Sequence, residues 1–290
     1  MTSFAASTSV AAMATDTGEH GDQHDELSAT SFDTLRIERD GHLLFVTIDH
    51  PHSDLNAVDA TLHREIAQLA RLLKRERLAR AIVLTGAGPA FSAGGDMEWF
   101  PALRNPGALH ELRREGKQIV WDLLDIEVPI IASLNGPAVG LGASIALLCD
   151  VIVMSEQARI IDPHVQVGLV AGDGGAAIWP LLVGPLAAKR HLMLGDPLTA
   201  DDAVRLGVAV ESCAADALPD RARHWAERCA AQAPIALQGT KLAVNAQIKQ
   251  ALLTSFDVST ALEIGCFLSD DHAEAVSAFV ERRTPRFEGC

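Results

Sequence analysis

The chain has 290 residues, 48% hydrophobic and 21% charged, enough to bury a sizeable core in one large domain or two small ones. A formal net charge of −14 without any basic patch argues against a nucleic-acid partner, and no apolar run reaches the roughly 18 residues of a membrane span. Five scattered cysteines with no C-x-x-C pair point to reduced thiols in a cytoplasmic protein, not to a disulfide frame or a zinc site, and the lack of tyrosine removes phenol as a catalytic acid.

Residues 1–31 are rich in Ala, Ser and Thr and then acidic, with no Lys or Arg before Arg36. That suits neither a signal peptide nor a transit peptide and predicts a disordered extension. Order is expected from about Leu35. Leu43 to Ile48 reads as a strand ended by His50-Pro51. Residues 59–79 space Leu62, Ile66, Leu69 and Leu73 as one helical face. Ala81 to Thr85 is a short buried strand that enters the loop Phe91-Ser92-Ala93-Gly94-Gly95-Asp96. A helix over 108–125 is stopped by Val128-Pro129. Ile130 to Leu134 then feeds a second small-residue loop, Asn135-Gly136-Pro137-Ala138-Val139-Gly140-Leu141-Gly142. Gly142 to Cys149 reads as helix, Val151 to Met154 and Arg159 to Ile161 as strands, and the pattern from about 174 onward as mostly helical. Alternating strands and helices followed by a helical tail define an α/β class. The domains expected are a core over 32–230 and a C-terminal helical region over 231–290.

Small-residue loops of this kind aim backbone N–H groups at one oxygen, and two in one domain suggest donors converging on a carbonyl. A further cluster is Asp162-Pro163-His164 followed by Gly172-Asp173-Gly174-Gly175. His164 suits general-base work near neutral pH, with Asp173 to orient it; the alternative is a structural His and a turn-shaping Asp. Gly172 to Ala177 also matches G-x-G-x-x-A, but without a preceding strand or a βαβ unit it carries no nucleotide site. The sequence lacks a Walker loop, an H-E-x-x-H helix and a G-x-S-x-G elbow.

From about Phe32 to Gly289 the chain resembles the enoyl-CoA hydratase/isomerase, or crotonase, superfamily. The markers include His50-Pro51 with Leu55-Asn56-Ala57, the two loops above, Cys149-Asp150, the Gly172 loop, Leu198-Thr199-Ala200-Asp201-Asp202-Ala203, Thr240-Lys241 and the tail from Ala273 to Phe287. The resemblance implies a ClpP-like spiral of ββα units with a C-terminal helical trimerisation region, assembled as a homotrimer or as a hexamer of two trimers. It implies a coenzyme A thioester as substrate, with no permanently bound cofactor and no metal. Gly95 and Leu141 would supply the oxyanion-hole N–H groups. Ser53, Asp54 and Leu55, with Ala93 and Asp96, would lie against the nucleotide, and Phe279 and Arg282 would hold it from a neighbouring subunit.

The departures matter as much. Family hydratases use two glutamates, and the matching positions here are Ser144 and His164. Leu141 replaces the middle glycine of the second loop, so its donor survives only if its backbone conformation suits a side chain. Three readings follow. The first is hydratase- or isomerase-type chemistry on an acyl-CoA, with His164 oriented by Asp173 and Ser144 or Asp162 assisting. The second is hydrolysis of a carbon–carbon bond in a β-diketone, because Pro-His…Gly-Asp-Gly looks like the oxocamphor-hydrolase branch. The third is an acyl-CoA binder without turnover.

Overall fold

The computed structural model describes Glu26, Leu27 and residues 29–290. The first unit is a hairpin of β1 (Leu35–Asp40) and β2 (Leu43–Ile48), antiparallel with Leu35 opposite Ile48, followed by α1 (Ala60–Leu73). Asp59 caps α1 by accepting from the Thr61 and Leu62 N–H groups, and Leu62, Ile66, Leu69 and Leu73 form its buried face. The helix ends at Leu73 and does not run to 79. There the Glu76 carboxylate takes the Leu78 and Ala79 N–H groups at 2.6 and 2.8 Å and turns the chain toward the next strand.

The second unit is β3 (Ala81–Gly86) and α2 (Pro106–Asp125), which starts with Asn105 as cap and Pro106 in the first turn. The third is β4 (Ile130–Leu134), β5 (Ala138–Val139) and α3 (Leu141–Leu147). The fourth is β6 (Val151–Ser155), β7 (Arg159–Ile161) and α4 (Gly175–Val183). Then come α5 (Pro185–Leu194), β8 (Leu198–Thr199), α6 (Ala200–Arg205), β9 (Glu211–Cys213) and α7 (Leu218–Ala230). The 33-residue α8 (Pro234–Cys266) and α9 (Asp270–Val280) complete the chain. Strands β8 and β9, two and three residues long, fall inside the stretch that reads as helical, because so short a strand leaves no periodicity.

Six strands form one sheet in the order β1-β2-β3-β4-β6-β9, parallel from β2 onward. Both of its faces are covered, which is why β3 and β4 read as unbroken apolar runs. Leu43, Ala81, Val83, Ile131 and Val153 pack on Leu218, Ala222 and Ala226 of α7. Leu44, Ile82, Leu84, Ile130 and Ala132 face the main core, with α1, α2 and α3. Leu27, only 4% exposed, joins that core, so packed chain begins ahead of Phe32; residues 1–25 and 28 of the expected N-terminal extension lie outside the described residues.

A second layer positions the site. Strands β5, β7 and β8 form a small sheet, and single parallel bridges join Val58 to Gly95 and Ser92 to Ala138. Each repeat therefore contributes a short extended piece to the same layer, and the two small-residue loops run side by side within it.

Candidate active site

Two loops meet through backbone bonds. Ser92 N–H donates to Pro137 O at 3.2 Å and Val139 N–H to Ser92 O at 2.9 Å, while Ser92 Oγ donates to Asn56 O at 2.8 Å. The contact tolerates no extra atom. A methyl on Gly142 would stand 2.8 Å from Ser92 Cβ, one on Gly95 2.4 Å from the Phe100 ring, and one on Gly136 2.0 Å from Pro89 O. Gly140 takes the left-handed φ of 53° at the head of α3, so the unusual conformation falls there and not on Leu141. Leu141 is the first helical residue, its side chain buried, and its N–H belongs to the first turn, which has no partner within the helix. Replacing the glycine expected at 141 with leucine thus leaves the donor in place. Among the described residues neither the Gly95 nor the Leu141 N–H meets a backbone acceptor outside regular elements, and both residues line one cavity.

Gly142→Ala is expected to destabilise the fold by about 1–3 kcal/mol, because backbone and a short side chain cannot retreat from the new methyl. Drawing α3 away from the first loop should also cost turnover at least tenfold through the lost donor geometry. Thermal melting and steady-state kinetics on one preparation would check both.

The same cavity holds His164, Asp173 and a residue that sequence reasoning missed, Glu263 of α8. His164 opens a short 3-10 turn (His164–Val167) directly after β7. Its Nδ1 lies 2.6 Å from Oδ1 of Asp162, whose side chain is fully buried. Its Nε2 lies 3.6 Å from Asp173 Oδ2 and 3.8 Å from Glu263 Oε1. The carboxylate that orients the ring is therefore Asp162, two residues away, while Asp173, assigned that role in the sequence reading, stands at the opposite nitrogen. Ser144 lies inside α3 and donates from Oγ to Asp173 Oδ1 at 3.0 Å. Asp173 Oδ2 and Asp162 Oδ2 are buried without a hydrogen-bond partner.

The glycines of this region keep space for the carboxylates. A methyl on Gly175 would stand 2.2 Å from Asp162 Oδ2, and one on Gly172 2.4 Å from Glu263 Oε2. Thr260 Oγ1 donates to Gly172 O at 2.8 Å and ties α8 to the Asp173 loop, which carries Glu263 into the cavity. One sequence signal marks Glu263: it is the only charged residue between Asp257 and Asp270. A lone carboxylate there, on a helix stretch otherwise free of charge, has to be either buried with partners or functional.

The electrostatics follow from burial and crowding. Burial alone would depress the His164 pKa, but the Asp162, Asp173 and Glu263 carboxylates outweigh it and hold the imidazole well above its usual value. Burial raises Asp173, which His164 pulls down in part and Asp162 pushes further up. Burial also raises Glu263, to about 8, against the pull of His164 and with help from Asp173 and Asp162. His164, Asp173 and Glu263 thus set one another's proton affinity. Asp162, His164 and Asp173 carry potential metal-ligand atoms within 4.8 Å of one another. However, the short bond between Asp162 and His164 occupies two of those groups with each other, an arrangement suited to moving a proton.

The other predicted binding residues stand outside the cavity lining. Ala93 N–H donates to Leu55 O at 2.9 Å and so places the 53–55 and 93–96 loops together. Ser53 Oγ accepts from Ala57 N–H, and Asp96 Oδ1 from Glu98 N–H. Phe279, 61% exposed, closes α9, and Arg282 just beyond it takes a left-handed φ of 54°.

This geometry is accompanied by clear kinship. The enoyl-CoA hydratase/isomerase family profile matches residues 38–290. The chain is 31% identical over 256 residues to a probable mitochondrial enoyl-CoA hydratase of Dictyostelium discoideum, covering 88% of this chain and 90% of that relative. Among solved structures, an enoyl-CoA hydratase/isomerase from Mycobacterium paratuberculosis superposes with TM-score 0.81 at 36% identity, covering 84% of this chain and 98% of the other. A β-diketone hydrolase from the cyanobacterium Anabaena, bound to (S)-3-oxocyclohexyl acetic acid, superposes with TM-score 0.78 at 30% identity, covering 85% and 98%. The chain belongs to the enoyl-CoA hydratase/isomerase (crotonase) family, and its α/β architecture is the crotonase fold.

Proposed function

We propose that this crotonase-family enzyme hydrolyses a carbon–carbon bond of a β-dicarbonyl compound. The observation that carries the reading is His164, held by buried Asp162 and flanked at Nε2 by Asp173 and Glu263, in the cavity lined by Gly95 and Leu141. A water placed at Nε2 gives a proton to the cluster while its oxygen attacks one carbonyl carbon. The oxyanion that forms is stabilised by the Gly95 and Leu141 N–H groups. As the tetrahedral species collapses, the bond between its carbon and the central carbon breaks, and the electron pair passes to the enolate of the second carbonyl. A proton from the cluster converts that enolate to a ketone, so one water and one diketone give one carboxylic acid and one ketone. The Anabaena neighbour, a β-diketone hydrolase by name, supports the same direction.

Hydratase- or isomerase-type chemistry on an acyl-CoA is the second reading, favoured by relatives named as enoyl-CoA hydratases and by an oxyanion pair that serves a thioester enolate equally. Apolar side chains exposed along α8 and at the end of α9, including Ile235, Leu253, Leu262, Phe279 and Val280, support assembly as a homotrimer or hexamer in either case.

The test uses the bicyclic 1,3-diketone whose hydrolytic opening gives 3-oxocyclohexylacetic acid, in ¹⁸O-labelled water. The expected product is the keto acid with one labelled oxygen per turnover. Absence of keto acid, together with hydration of a short enoyl-CoA, would replace this reading with the second.

A further inference from the structure

The part of the cavity built by α1 and α2 carries groups that this reaction leaves unused. His63 of α1 lines the cavity and is buried, its Nδ1 2.8 Å from Glu115 Oε2 and its ring against Trp99. Arg113 and Lys117 of α2 line it as well. The carboxylates beside them are already engaged: Glu111 by Arg114 at 2.5 Å, Glu115 by His63 and, at 3.6 Å, Arg114, and Asp257 by Lys117 at 2.6 Å. Arg113 is then a cation without an ion-pair partner among the described residues. A neighbouring hollow shares Arg113 and Lys117 and adds His110 and Arg114, with no carboxylate in its lining. In a chain of net charge −14 this is a local reversal of sign in the cavity lining, with Arg113 open to solvent. Apolar side chains, Leu103, Leu112, Phe256, Ile264 and Phe267, fill the cavity wall besides these and the reacting groups.

We infer that the substrate carries an anionic arm: an apolar body with the reacting carbonyl at the His164 end and a carboxylate at the other, held by Arg113. An apolar cavity with reactive groups and a separate unpaired guanidinium recognises such a two-ended molecule, because guanidinium matches carboxylate in geometry and charge. The inference uses the cavity proposed above as the active site but not the reaction assigned to it, so it applies equally to a β-dicarbonyl or a thioester at the reacting end.

Two matched ligand pairs test it by calorimetry: 2-methyl-2-propyl- against 2-methyl-2-(3-carboxypropyl)-cyclohexane-1,3-dione, whose quaternary C2 carries no acidic proton, and hexanoyl- against adipoyl-pantetheine. In the wild type the carboxylate-bearing member of at least one pair is expected to bind roughly three- to tenfold tighter than its neutral partner. Arg113→Ala should erase that preference while leaving neutral-ligand affinity unchanged, and Arg113→Glu should reverse it. His110→Ala, which alters the adjoining hollow but not the cavity, should keep it. An equal affinity within both pairs, a preference that survives Arg113→Glu, or failure of all four ligands to bind would overturn the anionic arm. Binding of the thioester pair alone, with the preference intact, would retain the arm and set aside the diketone reading.

Discussion

Replacing His164 with Asn is expected to lower kcat for the diketone cleavage proposed above by roughly 10²–10⁴-fold, the usual contribution of a positioned acid–base group. Asn is the informative choice because its side-chain amide can still donate to Asp162 Oδ1, the partner of His164 Nδ1 at 2.6 Å. His164→Ala would strand a fully buried carboxylate that already has one oxygen without a partner, mixing loss of catalysis with loss of stability. Thermal stability of the Asn variant should stay close to wild type, since the bond to Asp162 is kept and Gly95 and Leu141 are untouched. Turnover that survives the substitution would remove His164 from the chemistry and move attention to Asp173 and Glu263.

The pH dependence has a definite sign. His164 and Glu263 both hold their protons above their usual values, and the cluster must release a proton before it can take one from water. Activity should therefore be low in acid and rise with pH through an apparent pKa near 8, the value to which burial lifts Glu263. That limb belongs to the coupled set and not to one residue. Glu263→Gln should move it toward lower pH, because the Glu263 charge is one of those raising His164. A pH profile that does not move would uncouple Glu263 from the site.

What could be read from the sequence was what a short stretch of chain determines. The strands β3 and β4 announce themselves as apolar runs, and the two loops by small residues whose crowding explains their composition. Asp162, His164 and Asp173 lie within twelve consecutive residues, so a turn could be expected to bring them together. Which of the two acids takes which nitrogen could not be expected, because that depends on the 3-10 turn at His164 and on the space kept by Gly175. The place of Glu263, and of the His63–Glu115 pair, in this cavity was illegible for a different reason. They enter the cavity through packing between helices distant in sequence, which no local pattern encodes. The short strands β8 and β9 exist only because partners pair with them.

Glu263→Gln is also expected to stabilise the protein, and only above a certain pH. The folded-state pKa of Glu263 is raised from 4.5 to about 8, so folding favours its protonated form. Stability arising from that preference is fully present below 4.5 and drains away as pH rises toward 8, after which the folded chain carries a buried charge. At about 1.4 kcal/mol per unit the whole span corresponds to several kcal/mol, of which about 2–4 kcal/mol is expected to survive relaxation of the site. Glutamine of nearly the same shape carries no charge at any pH and escapes the loss. The wild-type melting temperature should therefore fall from pH 5 to pH 9 relative to the variant, with the two nearly matched at pH 5. Loss of the favourable pull between Glu263 and His164 reduces the gain without changing its sign, because burial is the largest influence on Glu263. Melting curves that run parallel across this range would mean that Glu263 is solvated or paired in solution. A variant that is more stable at pH 9 yet slower in turnover would show that the charge is kept for chemistry at the expense of the fold.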